Sequence, residues 1–337
     1  MTNSLSLVWK PFRWLGIVFK YIVQFGIITW SGLALYFSNL PWVSLRITLA
    51  IIVTIFGIWA LWCSRRPRMK MLYGVLFVGL LVWWSSILPS NDRNWRPEVA
   101  VMPRAIINGD TVRFTGFRNF EYRTRDDFTI HYEEREVSLS HLTGVDFYIS
   151  YWMPGPIGHT FVSFIFDNAP PVSISIETRP EVGQTFDPLG SLFKQFELIY
   201  VVGDEHDVVG VRTNHRDERV YLYHLKISPQ NARELFLVYL KRINQLADKP
   251  EFYNLLSNSC TINILRYANA AGRTGRVDIR HYLNGWIDSY LYARAWLNTR
   301  LPFDELRQRS FINDKAQDAD KKADFSKSIR VDLPQNN

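Results

Sequence analysis

Three apolar runs within the first ninety residues constrain this chain more than any other feature. They cover about Leu15–Phe37, Trp42–Trp62 and Met71–Leu88. Each is close to the ~20 residues that a helix needs to cross a bilayer. Three successive runs are too many for a cleavable signal peptide. The sequence therefore predicts a membrane anchor of three transmembrane helices over residues 1–90.

Basic residues in the connections predict how this anchor is inserted. The connection Ser38–Pro41 is short and uncharged, whereas Arg65–Lys70 is strongly basic. Basic loops stay in the cytoplasm. We therefore expect a multi-pass protein of the cell inner membrane, with a cytoplasmic N-terminus. Everything after about Pro89 is expected in the periplasm.

The charge balance argues against a nucleic-acid partner. Residues 1–89 hold eight Lys and Arg and no Asp or Glu. Subtracting these from the totals of 39 basic and 32 acidic residues leaves 31 and 32, a net charge of −1 for the rest of the chain. A protein that binds nucleic acid would need a basic face on its soluble part. The positive charge of the chain thus reflects membrane topology.

Residues 91–312 predict an α+β domain with an antiparallel sheet packed against helices. Its first half alternates β-branched and aromatic residues between turn signals, which is typical of strands. Strands are expected over Thr111–Phe117, Phe128–Leu139, Val145–Trp152, His159–Asp167, Val172–Thr178, Phe196–Val202, Val208–Arg212 and Val220–Leu225. Its second half predicts helices that begin after Ser228, at Asn258 or Ser259, and over Leu283–Leu301.

Residues 313–337 are charged and poor in apolar side chains. Such a composition predicts a mobile tail. Docking of Phe325–Arg330 back onto the domain is the alternative.

Cys260 is the strongest candidate for a catalytic residue. It is the only cysteine outside the anchor, in an expected oxidising compartment where no second cysteine can bridge to it. It lies at the start of a predicted helix, where the helix dipole and free N–H groups lower the pKa of a thiol. These N–H groups and the side-chain amide of Asn258 would stabilise an oxyanion. A buried structural cysteine is the alternative.

His159 is the histidine best placed to act as the base for this thiol. It follows the turn Pro154–Gly158 and opens an apolar strand, where it can face the start of a helix packed on the sheet. Glu177, near the end of the next strand, would lie beside it and orient the imidazole. A core histidine, and an ordinary ion pair between Glu177 and Arg179, are the alternatives.

Several blocks of sequence, taken in order, resemble one known family. They are Arg118–Arg123, Gly158–Phe166, Ser173–Arg179, Gln195–Tyr200, Asp204–Asp207, Pro250–Asn254 and Asn258–Thr261. Together they resemble the family of the Lnb N-terminal periplasmic domain. The order of histidine before cysteine is also similar to permuted relatives of the papain-like NlpC/P60 group. Lnb is a lipoprotein N-acyltransferase of the Bacteroides type, with membrane helices after the domain, whereas this chain carries them before it.

The resemblance implies a thiol-dependent acyltransferase with Cys260 as nucleophile and His159 as base. A phospholipid would donate the acyl chain, and a lipoprotein or another amine would accept it, with no cofactor. Asn258 and Arg179 are the residues expected to stabilise the oxyanion and orient the substrate. The alternatives are a lipid or peptidoglycan hydrolase with the same pair, or a non-catalytic envelope scaffold.

Two further sets of charged residues have alternative interpretations. Arginines 118, 123, 179 and 212 could meet a phosphate headgroup, or pair with the many carboxylates. The block Asp204–Asp207 has residue types that bind metals, but it stands without a second matching cluster. We therefore expect a polar connecting turn there and no metal.

Overall fold

The computed structural model describes residues 5–153, 155–320, 322 and 324–335, with side chains from residue 13 onward. The chain divides into two compact units. The anchor unit comprises residues 1–89 and 187–195, and the domain unit comprises residues 90–186 and 196–337. The division falls between residues 89 and 90, and a short later segment, residues 187–195, joins the anchor unit.

The anchor unit contains three long helices. They are α1 (Leu5–Tyr36), α2 (Val43–Ile58), which continues as a π-helical turn to Cys63, and α3 (Pro67–Ser86). Their stretches Arg13–Tyr36, Val43–Cys63 and Pro67–Ser86 are long and apolar enough to cross a membrane. Large apolar side chains on these helices, such as Trp14 and Ile55, are exposed, as expected of surfaces that contact lipid.

Residues 187–195 pack against these helices. The ring of Phe193 stacks on that of Phe37, with 5.9 Å between centroids. The Nζ atom of Lys194 donates hydrogen bonds to the backbone oxygens of Trp84 and Ile87, both at 3.0 Å. Carbonyls in the last turn of a helix lack partners within the helix, and the dipole favours a cation there. Lys194 thus caps the C-terminal end of α3.

The domain unit is built on a mixed sheet of eight strands. They are β1 (Arg104–Asn108), β2 (Thr111–Arg118), β5 (Tyr132–Ser138), β6 (Leu142–Tyr151), β7 (His159–Phe166), β8 (Val172–Arg179), β9 (Glu197–Gly203) and β10 (Arg219–His224), while β3 (Glu121–Tyr122) and β4 (Phe128–Thr129) form a separate hairpin. The order is β1-β2-β9-β8-β7-β6-β10, with β5 also paired to β2. Neighbours run antiparallel except β2 and β9, which are parallel, so the sheet expected to be antiparallel is mixed at this one pair.

In the described part of the domain unit, seven α-helices accompany the sheet. They are α4 (Glu205–Val208), α5 (Pro229–Asp248), α6 (Cys260–Ala270), α7 (Ile287–Ala293), α8 (Phe303–Arg309), α9 (Asn313–Asp318) and α10 (Phe325–Ser328). On one face of the sheet, Phe236 of α5 contacts the rings of Phe114, Phe164 and Phe166. The other face carries Phe161 and is covered by α4 and by the C-terminal segment. Both faces of the central strands are buried, which explains why β7 is apolar along almost its whole length.

Three predicted elements differ from the structure. The strand expected over Phe128–Leu139 is divided into β4 and β5. Residues 208–212, expected as a strand, complete α4 and enter a π-helical turn, Val211–His215. A short apolar run does not distinguish a strand from a buried helical turn. The helix expected over Leu283–Leu301 is confined to α7, because Ala295 has a left-handed φ of 55°, which a continuing helix does not allow.

The C-terminal segment is packed against the domain, which corrects the expectation of a mobile tail. Five of its apolar residues are buried: Ala316, Ala319, Phe325, Ile329 and Leu333. Arg330 forms ion pairs with Glu205 at 2.6 Å and with Asp146 at 2.9 Å. Average composition was misleading because it does not show that the sparse apolar residues share one buried side.

We expect Phe325→Ala to destabilise the domain because the ring is 3 % exposed within the core. Truncating a buried phenylalanine costs about 3–5 kcal/mol, which lowers the melting temperature of a domain of this size by about 10 °C. The measurement is thermal unfolding of the full chain in detergent. Val331→Ala, at a site 54 % exposed, is the matched control and should leave the melting temperature unchanged. Equal melting temperatures for both variants would contradict the packing described for this segment.

Candidate active site

Cys260 is the first residue of α6, as the sequence predicted. Ser259 precedes it as the N-cap in an extended conformation, and the serine side chain makes no capping hydrogen bond. The first N–H groups of a helix have no partners within the helix and form the positive end of its dipole. Cys260 therefore lies where a thiolate and a developing oxyanion are both stabilised.

His159 is the first residue of β7 and lies beside β8. Its Nε2 atom is 2.7 Å from the hydroxyl oxygen of Ser175 and 3.9 Å from a carboxylate oxygen of Glu177. The register explains this arrangement, because Phe161 pairs with Ser175 and continuing it by two residues brings His159 opposite Glu177. With Nε2 engaged by β8, Nδ1 is the ring nitrogen left for the thiol.

The thiol and the imidazole are neighbours, and this changes the acidity of the thiol. Burial alone would raise the pKa of Cys260, but the charge and hydrogen bond of His159, together with hydrogen bonds from Thr160, lower the pKa to about 6. A thiol with that pKa is about nine-tenths ionised at pH 7. The structure thus brings together the two residues that the sequence singled out as nucleophile and base.

Glu177 is held as a carboxylate by an arginine other than the one considered from the sequence. Burial would raise the pKa of Glu177, but Arg212, whose guanidinium is 2.7 Å from the carboxylate, and the other nearby cations together hold it well below its usual range. Arg212 is itself buried, lies over the ring of Phe161 and donates to the backbone oxygen of Val208 at 2.5 Å. A negative charge is therefore kept beside His159.

Arg179 does not reach the site, which corrects its expected role in orienting the substrate. It is 2 % exposed and donates to the backbone oxygens of Val99 and Ala100 at 2.9 and 2.7 Å. Its guanidinium also lies over the ring of Trp95. Arg179 thus anchors the segment that precedes β1, and its partners are too distant in sequence to have been inferred locally.

Asn258 also has another role than the one expected from its position before the cysteine. Its Nδ2 donates to the backbone oxygen of Phe252 at 2.9 Å and to Glu251 at 3.2 Å. Its Oδ1 accepts a hydrogen bond from Asn263 at 2.9 Å. The amide therefore holds the loop before α6 in shape, and both its donor and its acceptor are engaged away from the thiol.

Asn284, which the sequence analysis missed, supplies an amide next to the thiol. Its Nδ2 is 3.8 Å from Sγ of Cys260 and 3.1 Å from the hydroxyl oxygen of Thr261. Its Oδ1 accepts a hydrogen bond from the N–H of Gly158 at 2.9 Å. Asn284 thus ties the residue before His159 to the first turn of α6. The available signal was the turn-forming Asn-Gly pair, which a predicted helix over the same residues obscured.

Gly285 allows this loop to approach the turn before His159. A Cβ atom at Gly285 would lie 2.6–2.9 Å from backbone atoms of Pro156, Gly155 and Ile157. The Gly285 N–H donates to the backbone oxygen of Pro156 at 2.8 Å. Any side chain here would push the two loops apart, and with them Asn284 and the turn that precedes His159.

Tyr253 provides a second polar group at the thiol. Burial raises the pKa of its phenol well above the usual range, and the neighbouring Cys260, with which it shares a hydrogen bond, contributes to that rise. The phenol therefore keeps its proton and is available as a donor. The sequence does not distinguish this tyrosine from the others, and its place in the loop before α6 gives no signal of a role at the thiol.

The reacting sulfur is enclosed. Cys260 is 2 % exposed, and the side chain of His159 is 16 % exposed. An apolar cavity of about 50 Å³ adjoins the next residue of α6, Thr261, and is lined by Val162, Leu265 and Leu291 among others. That volume is about that of one or two water molecules, so the cavity in this conformation is too small for an acyl chain.

The remaining charged residues singled out from the sequence are engaged within the fold. Arg118 forms a buried ion pair with Asp207 at 2.6 Å, and Arg123 pairs with Asp127 at the surface. Asp204 caps α4 by accepting from the N–H of His206 at 3.0 Å. Across the part of the chain that the structure describes, no group of three or more His, Cys, Asp or Glu side chains is arranged to hold a metal.

Comparison with known families finds a match over much of the domain unit. Residues 128–285 match the family model described as the Lnb N-terminal periplasmic domain, which confirms the resemblance drawn from the sequence blocks. The matched segment includes His159, Glu177, Cys260 and Asn284. Comparison with curated proteins and with solved structures finds no further match. Together with the three apolar helices, the match indicates a membrane protein with a periplasmic domain.

We expect the Cys260 thiol to ionise with a midpoint near pH 6, being protonated below that pH and ionised above it. Thiolate absorbance at 240 nm, measured as wild type minus Cys260→Ser, reports this midpoint and cancels the contribution of Cys63. His159→Ala removes the main stabilising charge but leaves the burial, so its midpoint should lie well above that of wild type. A wild-type midpoint near 9 would contradict the thiolate–imidazole pair.

Proposed function

We propose that this chain, whose residues 128–285 match the Lnb N-terminal periplasmic domain, is a membrane-anchored thiol acyltransferase. It would move an acyl chain from a phospholipid to an amine by way of a Cys260 thioester. The observation that carries the proposal is the Cys260 thiol at the start of α6 beside His159, with its pKa lowered to about 6. The family suggests the N-terminal cysteine of a lipoprotein as the acceptor amine.

In the first half of the reaction, the thiolate attacks the ester carbonyl of the phospholipid. The bond between Sγ and the carbonyl carbon forms, and the carbonyl oxygen becomes an oxyanion. Collapse of this intermediate breaks the ester bond, and the lysophospholipid oxygen takes its proton from the His159 imidazolium. The products of this half are a lysophospholipid and an acyl thioester on Cys260.

The oxyanion of this step has several donors within reach. The N–H groups at the start of α6 are unpaired within the helix, and the Asn284 amide and the Tyr253 phenol adjoin the sulfur. Donors that are held in place before the reaction stabilise developing charge without reorganising. Removal of one such donor typically slows catalysis by about 100–1,000-fold.

Ser175 and Glu177 would orient the imidazole and stabilise its charged form. In the imidazolium, Nε2 would donate to the serine oxygen, which is 2.7 Å away, and the carboxylate lies just beyond it. This arrangement keeps Nδ1 directed to the sulfur and favours the imidazolium that the thiolate requires. Arg212 keeps the carboxylate ionised and in position.

In the second half, the neutral acceptor amine attacks the thioester. The new bond joins the amine nitrogen to the acyl carbon, the bond from that carbon to Sγ breaks, and His159 takes the proton that the nitrogen loses. The enzyme returns to its thiolate–imidazolium state. The small exposure of the sulfur supports transfer over hydrolysis, because an enclosed thioester is protected from water.

The membrane helices support a lipid substrate. A domain tethered by three apolar helices meets phospholipids at the bilayer surface without having to search for them in solution. The basic connection at residues 65–70 supports a cytoplasmic N-terminus, which would place the domain on the periplasmic side of the inner membrane.

The test is the acyl adduct itself. Wild-type protein, purified in bilayers of the phospholipids of a Gram-negative inner membrane, should show a mass increase of one acyl chain at Cys260 by intact-mass and peptide analysis. Cys260→Ser should lack the thioester, and His159→Ala should form it about 100–10,000-fold more slowly. Cys63→Ser is the matched control, since it removes the other cysteine, and it should form the adduct at the wild-type rate.

The acceptor arm separates transfer from hydrolysis. Addition of a synthetic peptide that begins with a diacylglyceryl-cysteine should discharge the adduct and leave the acyl group on the peptide nitrogen. Release of free fatty acid at the same rate with and without the peptide would indicate a lipid hydrolase. Unchanged acyl transfer in both Cys260→Ser and His159→Ala would exclude this mechanism.

A further inference from the structure

A basic, aromatic cavity lies beside the candidate active site. Its volume is about 310 Å³, which is within the range of small-ligand sites. The wall includes Tyr151, Pro156, Arg219, Gly285, Trp286 and Arg307. None of these residues was assigned a part in the acyl-transfer steps.

The wall of this cavity is shared with the thiol site. Gly285 follows Asn284, whose amide is 3.8 Å from Sγ, and Pro156 lies in the turn that leads into His159. The hydroxyl of Tyr151 donates to the backbone oxygen of Gly285 at 2.5 Å. A group bound in the cavity is therefore separated from the reacting sulfur by the short Asn284–Gly285 segment.

The two arginines of the cavity differ in how their charges are balanced. Arg307 forms an ion pair with Asp288 at 3.2 Å and donates to the hydroxyl of Tyr151 at 3.0 Å, so it is held in place and largely neutralised. Arg219 donates to the hydroxyl of Tyr221 at 2.9 Å, and no carboxylate among the described residues lies within 4.0 Å of it. The cavity thus presents one uncompensated guanidinium.

This guanidinium lines two cavities, and the positions of acidic residues favour an anion in only one of them. Arg219 and Arg307 also line a second cavity of about 380 Å³, which has Asp304 in its wall. Among the described residues, no carboxylate lines the first cavity. An anion is favoured in the first cavity, because a carboxylate in the wall of the second would repel it.

We propose that the cavity beside Gly285 binds the phosphate of the phospholipid acyl donor, with Arg219 as its main charged contact. The proposal rests on the proposed function and names a subsite for its donor. In a phospholipid only a few covalent bonds, spanning about 6 Å, separate the phosphorus from an ester carbonyl. A phosphate in this cavity would hold the ester close to Sγ of Cys260, and guanidinium groups suit phosphate oxygens because they present paired N–H donors.

The test measures binding without chemistry, so its failure is distinct from failure of the acyl-transfer proposal. Full-length Cys260→Ser in detergent is titrated calorimetrically with dihexanoyl phosphatidylglycerol, with uncharged dihexanoylglycerol and with inorganic phosphate. Adding Arg219→Gln should weaken the binding of the phospholipid by about 10–100-fold, as expected for loss of a hydrogen bond to a charged group. It should leave the affinity for dihexanoylglycerol unchanged.

Two variants serve as controls. Arg219→Lys, which keeps the charge but loses the paired donors, should bind the phospholipid with intermediate affinity. Arg125→Gln removes another exposed arginine, on the β3–β4 hairpin, and should bind as its parent does.

Three results would overturn the proposal. The first is equal phospholipid affinity with and without Arg219. The second is a loss of affinity for dihexanoylglycerol as large as that for the phospholipid, which would indicate a structural effect. The third is inorganic phosphate binding as tightly as the phospholipid with the same dependence on Arg219, which would assign the site to free phosphate. Acyl-adduct formation on wild-type protein is scored separately.

Discussion

The pairing of a thiolate with an imidazole across the gap between a strand and a helix is the interaction on which the candidate site depends. Burial opposes ionisation of Cys260, and the charge and hydrogen bond of His159 outweigh that opposition only together with the hydrogen bonds from Thr160. The two residues lie on different elements, so their separation depends on how α6 and β7 are held together. Asn284 provides one such link, since it contacts both the residue before His159 and the first turn of α6.

Buried ion pairs support this arrangement on the face of the sheet that carries Phe161. Arg212 holds Glu177 beside His159, and Arg118 holds Asp207, which lies in α4, the helix that precedes Arg212. Breaking a buried pair by removing one partner costs about 3–5 kcal/mol, because a charge is left without compensation. The imidazole is therefore positioned by side chains that are themselves held by strong electrostatic interactions.

The sequence predicted the elements better than the directions of the side chains. Periodicity and capping signals predicted the apolar runs, most strands and the helix that begins at Cys260. Its place at the start of a strand predicted that His159 lies near Cys260. Asn258 and Arg179 are close in sequence to residues of the candidate site. Their side chains nevertheless point away from it, because they bind partners elsewhere in the fold. Asn284 contacts a residue 24 positions away, which only tertiary packing brings close. Local patterns carry no information about such contacts.

The cap that Lys194 places on α3 ties the chain to its anchor a second time. Strand β8, which carries Ser175 and Glu177, ends at Arg179, and the chain then supplies Phe193 and Lys194 to the anchor unit before β9 begins at Glu197. Cutting the protein at residue 89 to obtain a soluble enzyme would therefore remove the helices against which residues 187–195 pack. The apolar ring of Phe193 would face water, and a lysine that had been bound to carbonyl oxygens would be released midway between two strands of the sheet.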